Sequence, residues 1–406
     1  MRIGRSAVAV CAAVCLQAGT ADAQSRSLTL ADVLAHAREQ APQIVSARLA
    51  LEEARARLLG ASLRFQTNPE IDAALGSRNG PGTRFTEFEV GLGQRFESGG
   101  RRSARITGGN AAIAQSSANI DEVTRTVLRV AASAYYRAVH ANEWIKLLNV
   151  THDLAASVYA TADRRFKAGD IAILDVNIAR TSLARVRAER EGAEASKALA
   201  LGELRQLLRL ENDVDAAGPL TVPGATDLTA ALQTASQRPE LRGLEAAIAE
   251  AEAELQVGLS FTKPEYVVGV RYSREEGDQI VLGGMTVTLP MFSTGQEQRA
   301  VGSARAVRLR AELDAARTRV QLEVRAAFDA YNRRLASVRI LEADAIPGLD
   351  ENEQLTTRSF DVGQLGLPDL LLIRREFLDT RSQYLDALLE AALARVDLDA
   401  SAGILR

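Results

Sequence analysis

The spacing of apolar and polar residues changes twice along the first half of the chain. Leu28 to about Phe65 reads as helix, broken at Pro42 and opened by Thr29 as N-cap. Asn68-Pro69 ends this stretch, because a residue before proline is pushed out of the helical region. The period then falls to two. Ile71, Ala73 and Leu75 alternate with Glu70, Asp72 and Ala74. After the turn-rich Arg78-Asn79-Gly80-Pro81-Gly82, one face carries Thr86, Phe88, Val90, Leu92 and Phe96. The other carries Glu87, Glu89, Gly91, Gly93 and Arg95. The pattern predicts a β-hairpin over about 69–96, with strands near the ~9–11 residues of a membrane-spanning β-strand.

Helical composition then returns. Ser98 to Lys167 holds no proline and is bounded by Ser98-Gly99-Gly100 and Lys167-Ala168-Gly169-Asp170. At ~1.5 Å per residue, about 65 helical residues make a rod of roughly 100 Å. A compact core cannot use such a rod, so the molecule is expected to be elongated. A returning helix is expected from about Ala172 to Leu210, followed by an extended linker, Glu211 to Asp227, with Gly218-Pro219 and Pro223-Gly224.

Beyond the linker the sequence repeats itself at a spacing of about 195 residues, far longer than a solenoid unit. Ala41-Pro42-Gln43-Ile44 returns as Arg238-Pro239-Glu240-Leu241, and Asn68-Pro69-Glu70 as Lys263-Pro264-Glu265. A second hairpin follows over about 264–290. Tyr266, Val268, Val270 and Tyr272 share a face of its first strand; Val281, Met285, Val287 and Leu289 share a face of its second. A second rod starts near Gln296. Its apolar stripe runs Leu309, Leu313, Ala316, Val320, Val324, Ala327, Tyr331, Leu335, Val338. The step of eleven from Leu309 to Val320 to Tyr331 predicts nearly straight packing or a slight right-handed supercoil. Pro347 is expected to interrupt this rod, and the last helix carries a stripe of Leu378, Leu385, Leu389, Ala392 and Val396. The fold class is therefore mainly α with a small β part. Two tandem helix–hairpin–long helix–tip–helix units are expected over 24–210 and 228–406, joined by a linker over 211–227.

Composition narrows what this layout can do. Arg2 and Arg5, the apolar run Ala7–Leu16 and Ala21-Asp22-Ala23 read as a cleaved secretory signal, residues 1–23. Cys11 and Cys15 fall inside it, so the mature chain is expected to carry no disulfide and no thiolate metal ligand. The formal net charge of −3 lacks the basic bias of a nucleic-acid surface. Gly99-Gly100-Arg101-Arg102 lacks the lysine and hydroxyl of a phosphate loop. His36, His140 and His152 are scattered, and carboxylate pairs such as Glu52-Glu53 and Glu275-Glu276 mark no cleft. The expectation is a protein that is not an enzyme, with no metal site and no cofactor.

Four amphipathic strands cannot close a membrane barrel, since single-chain barrels start at about 8 strands. An open sheet in lipid leaves unpaired edges, which is too costly to persist. The barrel must then be shared between chains, eight strands in a dimer or twelve in a trimer. On this reading Phe88, Val90, Leu92, Val268 and Val287 face lipid.

The layout resembles the TolC-type outer-membrane efflux channels over essentially the whole mature chain, and most the branch containing CzcC and CusC. The resemblance is carried by Arg95-Phe96-Glu97-Ser98-Gly99-Gly100-Arg101-Arg102, by Leu289-Pro290-Met291-Phe292, and by Phe166-x-x-Gly169 with Asp175-Val176. Phe360-x-x-Gly363 with Asp369-Leu370 repeats the last of these. It implies a homotrimer with a twelve-stranded β-barrel continuous with a twelve-helix α-barrel. The helical part would project from the bacterial outer membrane into the periplasm. It also implies a periplasmic adaptor and an inner-membrane pump of the resistance-nodulation-division type as partners, with heavy-metal cations as cargo. Organic toxicants or a type I secreted polypeptide are alternative cargoes, and a secreted coiled-coil structural protein is a distant alternative.

Within this frame Phe166, Gly169, Phe360 and Gly363 are expected at the periplasmic tip, in contact with the adaptor. Asp369 and Asp175 are candidates for a pore gate; each could equally be a helix-end charge that complements the dipole. Two features depart from the family. Many relatives carry a lipidated N-terminal cysteine, and Leu372 stands where relatives can have a second acidic residue.

Overall fold

A computed structural model describes residues 26–362 and 364–405. The expected signal peptide and Gly363 lie outside the described residues. The first half contains β1 (Arg26–Leu28), α1 (Leu30–Gln40), α2 (Pro42–Ser62), β2 (Glu70–Gly80), β3 (Thr83–Phe96), α3 (Arg101–Ala168) and α4 (Ile173–Leu208). The second contains β4 (Val214–Ala216), α5 (Leu228–Ala235), α6 (Pro239–Ser260), β5 (Glu265–Glu275), β6 (Asp278–Thr288) and α7 (Gln296–Ile340). A π-helical turn (Leu341–Ala345), α8 (Ile346–Asp361) and α9 (Leu367–Ser401) complete it.

Local chemistry explains the boundaries. Thr29 caps α1 in a reciprocal capping box with Asp32. Pro42 and Pro239 open α2 and α6, where a missing N–H costs nothing. Both rods leave the sheet through a left-handed glycine, Gly100 before α3 and Gly295 before α7.

Strands β2, β3, β5 and β6 form one antiparallel sheet in that order, so β2 and β6 are its open edges. The register aligns the predicted apolar positions. Val90 lies opposite Ala73 and Tyr272, Leu92 opposite Ile71 and Val270, and Val268 opposite Met285. The other face is charged and internally paired: Arg271 meets Glu89 at 2.7 Å and Arg78 meets Glu87 at 2.7 Å. The hairpins turn through two residues each, Pro81-Gly82 and Glu276-Gly277.

The rods pack in two styles. Along α7, Gly302, Leu309, Leu313, Val320 and Val324 are buried from the sheet end onward, and Tyr331 and Leu335 continue the stripe onto Leu398 of α9, a spacing that returns every eleven residues. That period suits nearly straight packing against α6. Toward the tip, α4 buries Val176, Ala179, Leu183, Val186, Ala193 and Ala200. These alternate three and four, the seven-residue repeat of a left-handed coil with α3. The α3 rod spans 68 residues, ~100 Å at 1.5 Å each.

Four expectations need correction. The second helix ends at Ser62 rather than at Asn68, because Leu63 already turns extended. Residues 211–227 are not merely a linker. Val214–Ala216 pairs in parallel with Arg26–Leu28, a strand placed where a short lead was expected. Pro347 does not interrupt the rod, since the π-helical turn just before it keeps the helix running from α7 into α8. Finally, Leu388 is buried in the α9 core, whereas Leu385 and Leu389 pack against that core only partly buried.

The largest core sits at the waist, where α1, β1 and β4 pack on the rods around Val33, Ile44, Leu128, Leu204 and Leu208. Two rod tyrosines at matching places hold the segment between the halves. The Tyr135 hydroxyl donates to Ala217 O at 2.6 Å, and the Tyr331 hydroxyl donates to Gly224 O at 3.0 Å and to Pro223 O. Burial raises the Tyr135 phenol above its ordinary pKa.

Candidate functional site

At the end opposite the sheet, α3 reverses into α4 at Gly169. This glycine has φ 84°, and its N–H donates to Phe166 O at 2.9 Å. Asp170 N–H donates to Arg165 O at 2.9 Å, so the last carbonyls of α3 are satisfied by the turn. Ala172 is extended and α4 begins at Ile173, which makes Asp175 its third residue. The second tip follows the same plan. Val362 N–H donates to Arg358 O, and the N–H groups of Gln364 and Leu365 both reach Ser359 O. Gly366 is extended, and Asp369 is again the third residue of its helix, after Pro368. Both carboxylates therefore sit in the first turn, where the helix dipole favours a negative charge. Asp369 is exposed and Asp175 half-buried.

The two tips share one core. Val158 and Ala162 of α3, Val176 and Ala179 of α4, and Leu370 of α9 are buried together, with Phe360 and Leu365 packed against them. Phe360 is held inward, under the Arg165 guanidinium at 5.5 Å. Phe166 instead faces solvent. Beside it Ile173, Leu174, Val362 and Leu372 stay exposed. Ile173 carries no signal in the sequence beyond being an apolar residue that flanks a tip turn.

Behind the tip, a groove of about 350 Å³ runs between α3–α4 and α8–α9. Its floor is apolar and its rim carries Arg185, Arg374, Arg375 and Arg381. Ion pairs cross it: Arg381 to Glu353 at 3.1 Å joins α9 to α8, and Arg185 to Asp379 at 4.0 Å joins α4 to α9. Sequence reading missed these partners because they are close in space and distant in the chain. The arrangement fastens two helix pairs to each other near the end of the molecule. Among the described residues, no group of histidine, cysteine and carboxylate side chains is placed to hold a metal ion.

Residues 33–208 match the family described as Outer membrane efflux protein. The described residues have the fold of solved outer-membrane channels. Over 349 residues the chain is 24% identical to the cobalt-zinc-cadmium resistance protein CzcC of Cupriavidus metallidurans, covering 83% of this chain and 81% of that one. Its fold matches a crystal structure of CusC with a TM-score of 0.76 at 17% identity, over 92% of this chain and 91% of that one. It also matches the Campylobacter jejuni CmeC outer membrane channel, with a TM-score of 0.74 at 17% identity, over 92% and 85%.

Proposed function

We propose that three copies of this chain form the exit duct of a tripartite efflux assembly, and that its cargo is heavy-metal cations. The observation that carries the trimer is the sheet. It has an apolar face and two open edges, β2 and β6, which must pair with other copies to be stable in lipid. Three four-stranded sheets give a twelve-stranded barrel, with Phe88, Val90, Leu92, Val268 and Val287 toward lipid. The rods then form a twelve-helix tunnel, built from two tandem units over 24–210 and 228–406. The tips, including Phe166, Gly169, Phe360 and Gly363, meet a periplasmic adaptor, which couples the duct to an inner-membrane pump of the resistance-nodulation-division type. Asp369 and Asp175 line the narrow end as rings of three.

The likeness to CzcC supports metal cations as cargo. Two measurements test the reading. Native mass in detergent should give a trimer; a stably folded monomer overturns the shared barrel. Deleting the gene should sensitise cells to cobalt, zinc or cadmium; unchanged tolerance to all three overturns the cargo.

A further inference from the structure

The apolar face of the sheet does not end with its strands. At the rod end, Phe96 stacks edge-on against Phe65 with ring centroids 5.5 Å apart. Phe65 belongs to the connection between α2 and β2, where Leu63 is also exposed. Exposed aromatic rings at the rim of a membrane sheet mark the level of lipid headgroups.

Cations gather at that level. The Arg64 guanidinium lies 5.8 Å from the Phe65 ring centroid. Arg102 donates through Nε and Nη2 to Ser62 O at 3.0 and 2.8 Å, which pins its guanidinium at the end of α2. Lys263 runs its stem along Gly99, where an added Cβ would lie 2.7 Å from Lys263 Cγ, and Gly99 has φ +72°. Its ammonium end belongs to an exposed residue.

The nearby acids are already engaged or point elsewhere. Glu97 pairs with Arg105 at 2.6 Å, and Glu265 with Arg101 at 2.5 Å and Arg95 at 3.3 Å. Glu70 lies on the opposite, polar face by its register with Gly93. The start of α3 adds to the positive field, because it has no side-chain cap and no acidic residue in its first turn. The matching start of α7 carries Glu297.

We propose that Arg64, Arg102 and Lys263 bind the phosphate groups of anionic phospholipids in the periplasm-facing leaflet of the outer membrane. The proposal rests on the lipid-facing reading of the sheet. The aromatic rings set the depth and the cations read the phosphates. Each cation near an anionic lipid surface contributes about fivefold in binding.

The test uses the full chain purified in neutral detergent, with phosphatidylglycerol added and lipid retention read by native mass spectrometry. Arg64→Gln combined with Lys263→Gln leaves the Arg102 contact to α2 intact and should weaken retention by about tenfold or more. Adding Arg102→Gln should weaken it further, and Arg64→Lys should restore binding lost in Arg64→Gln. Inorganic phosphate at equal concentration should not raise the thermal midpoint, whereas phosphatidylglycerol should. Retention unchanged in the double and triple variants overturns the headgroup site, as does equal stabilisation by inorganic phosphate. If the parent chain needs no detergent, the membrane reading of the sheet falls with it. If it needs detergent but shows no lipid preference, only the headgroup site falls.

Discussion

Asp369 and Asp175 occupy equivalent positions, the third residue of the helix that follows a tip. Both can complement a helix dipole, but Asp369 is the more exposed. Three copies of Asp369 around a narrow axis would concentrate cations and repel anions. Asp369→Asn should therefore lower cation preference and weaken block by multivalent cations in planar bilayers; unchanged selectivity would reduce Asp369 to a helix-end charge. Asp215 makes a different kind of prediction. Burial pushes its carboxyl upward, but hydrogen bonds from Asn142 and Lys197 outweigh burial and hold it below its ordinary pKa. A depressed carboxyl contributes stability above its unfolded pKa of about 4, and that stability is lost as pH falls through the folded value. Asp215→Asn should thus narrow the gap in thermal midpoint between neutral pH and pH 3. If the gap is unchanged, Asp215 does not anchor β4 to the rods.

Elements were more legible than their partners. The hairpins, both rods and the tip at Gly169 follow from period and punctuation, because a two-residue repeat or a proline-free run is a local signal. The β1–β4 pair was not legible, since three-residue strands carry no period and their pairing joins residues far apart in the chain. Tyr331 reads only as a stripe residue and Tyr135 carries no signal of its own in the sequence; their hydroxyl bonds to 217–224 depend on the tertiary fold. Pro347 misled for a similar reason, because the π turn that accommodates it leaves no mark in composition. The ion pairs across the groove behind the tip were invisible for want of any local pattern. At the tip itself, Gly169 supplies both a left-handed φ and an N–H bonded to Phe166 O. Proline there loses both, at a local cost of about 3 kcal/mol. Gly169→Pro should leave trimers in the membrane at parental levels while efflux is lost, measured by membrane fractionation and a resistance assay. Full resistance would place the adaptor contact elsewhere.

For the whole molecule, the register divides adjacent residues between two environments. Val90 sits on the apolar face and Glu89 on the charged face, paired with Arg271. Val90→Arg should cost about 2–4 kcal/mol if the site lies near the bilayer midplane, and should deplete assembled trimer in membrane extracts. Glu89→Gln should assemble normally and shift selectivity toward anions by leaving Arg271 uncompensated. Equal assembly of the two variants would mean that the apolar face does not meet lipid.

The two-residue turns at Pro81-Gly82 and Glu276-Gly277 have a consequence on the far side of the membrane. If the sheet is shared by three copies, the cell surface receives only six tight bends from an assembly of more than a thousand residues. Among the described residues no segment there is long enough to fold across the mouth, which on the proposed architecture leaves closure to the opposite end, among the tips. An antibody or a phage searching the outside of the cell meets almost nothing to hold. Covalent labels applied to intact cells should likewise find side chains only beside those bends.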